Sequence, residues 1–130
     1  MKDIPVMSMT INELLNELKK AKSDATVVFD FCGCFPTVVD SWRGIYAEPA
    51  IGWGKLDYVK FDKYPTVANV MAELEKAIGG RFYTGWKGGD FSYTGNSQLH
   101  VDNPGEYTIT ELARVEDCDW QVILHTVRED

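Results

Sequence analysis

A chain of 130 residues, 45% of them hydrophobic, is long enough for one self-sufficient core, and its formal net charge of -7 excludes duplex DNA or an anionic membrane as a partner of the surface as a whole. No apolar run is long enough to span a bilayer and no signal-peptide pattern stands at the start, so a reducing cytoplasm is the expected compartment. The cysteines, Cys32, Cys34 and Cys118, are odd in number, and the first two are too close for a comfortable disulfide.

Met1 to Met9 show no period and read as a short strand or a loose N-terminal arm. Thr10-Ile11-Asn12-Glu13 is a capping box, and Ile11, Leu14, Leu15 and Leu18 follow at helical spacing, with Lys19, Lys20 and Lys22 near the negative end of the dipole and a stop at Ser23-Asp24. Ala25 to Cys32 predicts a strand with Val27, Phe29 and Phe31 on one face and Val28, Asp30 and Cys32 on the other. Thr37 to Tyr46 predicts a second strand, Glu48-Pro49 and Gly52-Trp53-Gly54 read as turns, and Leu56 to Phe61 alternates again. A second helix follows Tyr64-Pro65-Thr66, with Val67, Val70, Met71, Leu74, Ala77 and Ile78 on its apolar face and Gly79-Gly80 as its left-handed stop.

Short strands at Arg81 to Thr84 and Leu99 to Val101 flank a glycine-rich segment, Asp102 to Gly105 is a turn, and Tyr107 to Val115 and Trp120 to Val127 close the chain around Glu116 to Asp119. The expected fold is α+β: two helices on a mostly antiparallel sheet of six or seven strands, in one domain spanning 1–130.

The segment Thr84 to Asn96 is the most informative. Its glycines supply no side chains to bury, yet Trp86, Phe91 and Tyr93 are costly to leave in water. The expected role is a surface that closes on something flat: a base, a partner subunit or a neighbouring loop. Trp86, Phe91 and Tyr93 can sandwich a base, the amides of Gly88 and Gly89 can form an anion nest, and Asn96 or Asn103 can read a base edge. Lys87-Gly88-Gly89 superficially suggests a phosphate loop, but without the strand-to-helix context or the Gly-Lys-Ser/Thr ending a nucleoside triphosphatase is excluded.

Arg43, between Trp42 and Gly44, can stack on a ring or grip a phosphate; the alternative is a surface arginine paired with Asp40 or Glu48. Arg114 is placed on the face of Leu112, opposite Ala113 and Val115, where it lines a pocket or pairs across strands with Glu116 or Asp119. Asp30, Asp40, Asp57 and Asp62 read as solvated strand-face carboxylates. A zinc site from Cys32, Cys34, Cys118 and His100 or His125 has the wrong spacing, and the thiols read as buried and unreactive. Neither histidine has a neighbouring pattern that marks a nucleophile or a general base, so no catalytic set, metal or cofactor is expected.

The order Ser41-Trp42-Arg43-Gly44, then a helix, then Gly85-Trp86-Lys87-Gly88-Gly89-Asp90-Phe91 resembles the phage anti-Thoeris sponge proteins of the first type. The resemblance runs from about Val28 to His125, with its firm motifs at Ser41 to Gly44 and Gly85 to Phe91. It implies a small α+β domain that assembles as dimers and hexamers in the cytoplasm of a bacterial host. It implies sequestration of cyclic ADP-ribose isomers, which are immune signals, without cleavage, and in some members cyclic oligonucleotides of a second immune pathway at separate sites. In that family an aromatic ring, an asparagine and an arginine hold the ligand; Trp86 or Phe91, Asn96 or Asn103, and Arg114 can take those places here. The glycine loop's Trp86 and the Gly95-Asn96 turn depart from the family pattern. The expected function is thus a non-enzymatic sponge. The competing readings are a phage structural or host-interaction protein whose aromatic loop binds another protein, and a small nucleotide-processing enzyme. A homo-oligomer is also expected from the aromatic load of Trp53, Trp86, Phe91 and Tyr93.

Overall fold

A computed structural model of the chain describes residues 9–31, 33–41, 49–54, 65–80, 83–84, 90–101 and 109–128. These form two helices, α1 (Ile11–Lys19) and α2 (Val67–Ala77), and eight strands. The strands are β1 (Thr26–Phe29), β2 (Phe35–Ser41), β3 (Pro49–Gly54), β4 (Tyr83–Thr84), β5 (Asp90–Phe91), β6 (His100–Val101), β7 (Ile109–Asp117) and β8 (Gln121–Arg128). Six strands make one sheet in the order β1-β8-β7-β6-β3-β2, antiparallel at β2–β3, β6–β7 and β7–β8 and parallel at β1–β8 and β3–β6. The fold is α+β, with β4 and β5 paired separately.

Both helices begin where side chains satisfy free amides. In α1 the Thr10 hydroxyl accepts from Glu13 N–H and the Glu13 carboxylate accepts from Thr10 N–H; Thr66 and Asn69 repeat the device on α2. Ile11, Leu14, Leu15 and Leu18 of α1 and Val67, Val70, Leu74 and Ala77 of α2 bury against the sheet, which answers with Val27, Phe29, Ile51, Val101, Leu112, Val122 and Leu124. Helix α1 is shorter than its lysines suggest: it is capped at Lys20, and Lys22 is drawn off to the β7–β8 turn. Gly80 takes the left-handed conformation after α2 (φ 88°), as its Gly-Gly pair predicts.

Three segments depart from the sequence reading. Gly52-Trp53-Gly54 is strand, not turn. A Cβ on Gly52 would lie 2.6 Å from the Thr37 hydroxyl oxygen, so the glycine marks the close approach of β2. Tyr93 is 3% exposed and belongs to the core, and Trp53 packs edge-on against Phe31 at 5.3 Å, so neither ring is free surface. Met9 is no loose arm: its N–H donates to Leu112 C=O and its C=O accepts from Leu99 N–H. Residues 1–8, Gly44 and the strand expected at Leu56 to Phe61 lie outside the described residues.

Two bulges shape β7. Between Leu112 and Arg114 the chain advances two residues while its partner β8 advances one, from Thr126 to His125. That extra residue, Ala113, resets the alternation. Leu112 and Val115 both pack toward the core, while Arg114 is exposed. The expectation that Arg114 shares a face with Leu112 is therefore wrong, because simple alternation holds only across an unbroken ladder.

Candidate functional site

On β8 the buried Val122 and Leu124 alternate with the half-buried Ile123 and His125, and on β1 the buried Val27 and Phe29 alternate with Val28 and Asp30. The face turned away from the helices thus carries Asp30, Ile123 and His125, and the β7 register sets Arg114 opposite His125 and Glu116 opposite Ile123. His125 joins three strands. Its Nε2 lies 2.7 Å from a Glu116 carboxylate oxygen and its Nδ1 3.6 Å from Asp30 Oδ2. Asp30 also accepts from Thr126, from N–H at 3.1 Å and from the hydroxyl at 2.6 Å, so it is a bonded strand-end anchor and not a merely solvated carboxylate.

The electrostatics follow from this. The hydrogen bond with His125 holds the Glu116 carboxyl below its ordinary value; partial desolvation opposes that, and Cys118 and the charges of His125 and Arg114 add to it. Partial desolvation, then the Glu116 and Asp117 carboxylates, push the Cys118 thiol above its ordinary value. Cys118 is exposed on the turn, not buried on a strand as expected; Cys34 is buried. A thiol with a raised pKa is mostly protonated at neutral pH and is a poor nucleophile. Both ring nitrogens of His125 face carboxylates, so neither is presented to a substrate. The cluster braces β1, β8 and β7; it is not arranged as a nucleophile and base. Among the described residues no group of three or more His, Cys, Asp or Glu is placed to hold a metal ion.

Arg114 stands at the edge of this cluster. Its two expected partners are engaged elsewhere: Glu116 with His125, and Asp119 with Lys22 at 2.9 Å. Among the described residues Arg114 makes no ion pair of its own, and it lines a groove of about 500 Å³ between β7 and α1, where Asn16 and Lys20 also lie. Glu13 and Glu17 share that groove, but Glu13 is engaged with Thr10 N–H and Glu17 with Lys20 at 3.0 Å.

Of the other expected ligand residues, Asn96 is exposed in the turn Thr94 to Ser97, which seats on the start of α1: Gly95 C=O accepts from Asn12 N–H and Ser97 C=O from Ile11 N–H. A Cβ on Gly95 would overlap the Asn12 side-chain amide, so this glycine serves close packing. The Phe91 backbone pairs with Tyr83. Arg43, Trp86, Lys87, Gly88 and Asn103 lie outside the described residues. No described contact brings Asn96 and Arg114 together.

Sequence reasoning missed the Glu116–His125–Asp30 bridge and an exposed indole, Trp120. The first had a signal: residues nine apart across a tight hairpin can meet when the turn is short. His100, also passed over, is buried with Nδ1 3.4 Å from a Glu111 carboxylate oxygen on the paired strand. No helix among the described residues is long and apolar enough to cross a membrane. Comparison with protein-family models, with curated proteins and with solved structures finds no match for the chain.

Proposed function

We propose that this protein is a phage counter-defence sponge: it binds a small cyclic nucleotide signal of the cyclic ADP-ribose class and holds it without cleaving it. The observation that carries the reading is Arg114, an exposed guanidinium on a rigid, bulged strand whose candidate acidic partners are already engaged. A planar fork of donors left open beside a groove is suited to a phosphate or pyrophosphate. Asn16 supplies a further donor in the same groove, where Lys20 is already paired with Glu17. The motifs Ser41 to Gly44 and Gly85 to Phe91 supply the ring-stacking and amide groups that a nucleotide needs besides a cation, with Arg43, Trp86, Lys87, Gly88, Phe91, Asn96 and Asn103 as the residues to test. The way His125 and Cys118 are engaged supports holding the ligand over transforming it.

Self-association as a dimer or hexamer belongs to the same proposal. Val38, 53% exposed on the edge strand β2, is a described apolar side chain that a second copy can cover. Light scattering that returns only the 14.7 kDa species at micromolar concentration contradicts that part. The functional test is recovery. The purified chain is incubated with a cyclic ADP-ribose isomer, washed, heated and its released small molecules weighed by mass spectrometry. Intact cyclic product supports the sponge, linear product makes the protein an enzyme, and no retained ligand returns the aromatic loop to a role in protein binding.

A further inference from the structure

We propose a second small-molecule site, for an uncharged planar heteroaromatic ring such as a nucleoside base, in the groove between Trp120 and Phe35. Trp120 is 60% exposed, although an indole is among the costliest side chains to leave in water. It is nevertheless held firmly. Its C=O accepts from Thr26 N–H at 3.0 Å, and the Lys22 ammonium sits 3.9 Å from the centre of its ring. The turn before it is pinned as well. Asp119 adopts a left-handed backbone (φ 73°), its N–H donates to the Asp117 carboxylate, and its own carboxylate pairs with Lys22. A strained aspartate in a braced turn, presenting an exposed indole, is a preorganised platform.

The groove beside the indole is about 430 Å³, within the range of small-ligand sites and too small for a helix or a strand of a partner protein. Val28, Phe29 and Phe35 give it an apolar lining, while Thr26 and the exposed Gln121 supply a hydroxyl and an amide, each able to donate and accept. One exposed indole beside an apolar lining, with a two-way polar edge, matches a face and the edge of a nucleobase. The local charge argues for an uncharged ligand. Lys22, the cation nearest the indole among the described residues, is neutralised by Asp119 at 2.9 Å, so no cation is left for a phosphate. The site therefore differs in chemistry from the one at Arg114, and it stands whether or not that reading holds.

The test uses adenosine as the probe, with ribose as the control, titrated into the full chain while indole N–H signals are followed by NMR; Trp120→Phe assigns the signal of interest. The expected result is a saturable shift of the Trp120 signal with adenosine and none with ribose. Trp120→Ala, followed on the backbone amides of Thr26 and Gln121, should weaken adenosine about fivefold or more, since a base–aromatic stack is worth roughly 1–3 kcal/mol. Gln121→Ala should weaken it severalfold, and Arg114→Ala should leave it unchanged. A Trp120 signal that does not move, a shift that never saturates, or unchanged affinity in Trp120→Ala overturns the proposal. Trp120 is exposed, so its replacement does not threaten the core.

Discussion

His125 and Glu116 meet at 2.7 Å across the β7–β8 hairpin, and Asp30 of the β1 end closes on the other ring nitrogen. One imidazole thus ties β8 and its neighbour β7 to the edge strand β1. The bridge engages Glu116, whose carboxylate also feels the charge of Arg114, while Arg114 itself lies along the groove beside α1.

The bridge makes stability depend on acid in a defined direction. Glu116 has a folded pKa below its ordinary value of 4.5, so the unfolded chain binds its proton more readily than the folded one. Its contribution is complete above that value and is lost as the pH falls through the lowered folded pKa. Melting temperatures measured from neutral pH downward should therefore fall more steeply in the natural chain than in Glu116→Gln. Parallel curves for the two would show that the bridge contributes nothing on the acid side.

Tyr93 is a core residue, and its replacement should say so. Tyr93→Ala should cost about 3–5 kcal/mol, as large aromatic truncations in cores do. Ser92 and Asn96, exposed on either side of it, should each tolerate alanine within about 0.5 kcal/mol. Chemical denaturation that found Tyr93→Ala as harmless as Asn96→Ala would place the ring back on the surface.

The junction of the Thr94 to Ser97 turn with α1 should absorb a single methyl group at little cost. Gly95→Ala brings a Cβ onto the Asn12 amide, but that amide ends an exposed side chain that can turn aside, so the loss should stay within about 1 kcal/mol. Asn12→Ala in the same chain should recover much of that loss, because the two residues share one space. Additive effects in the double-mutant cycle would mean that the clash is not the cause.

Helix α1 begins on the Thr10–Glu13 box, and Thr10→Ala should cost about 1 kcal/mol, with Thr10→Ser nearly neutral. Urea midpoints of the three chains decide the point; equal midpoints would show that the turn at Gly95 and Ser97 alone fixes the helix start.

The two helices and the major strands were legible because each rests on local chemistry: a capping box at Thr10, apolar positions at helical spacing from Val67, and alternation at Val27, Phe29 and Phe31. What failed was non-local. Gly52 looked like a turn because the chain alone does not reveal that Thr37 presses against it. Tyr93 looked like loop surface because its glycine-rich neighbours hid that the segment folds back onto α1. Arg114 lies opposite Val115, as alternation predicts, but does not share a face with Leu112, because the bulge at Ala113 shifts the phase between them. Arg114 was legible as a candidate by residue type alone; its place beside α1, in a groove with Asn16 and Lys20, was not, because that depends on how β7 packs against the helix. The bridge at His125 was not, because it depends on the register of two strands.

Arg114 carries the central claim, and calorimetry of a cyclic ADP-ribose isomer binding to the natural chain and to Arg114→Ala tests it most directly. The account predicts saturable binding to the natural chain and a loss of tenfold or more in the variant, since a hydrogen bond to a charged partner contributes about 1.5–3 kcal/mol. Arg114 is exposed, so the variant should fold with an unchanged melting temperature. Equal affinity in the two chains, or no binding to either, contradicts the account.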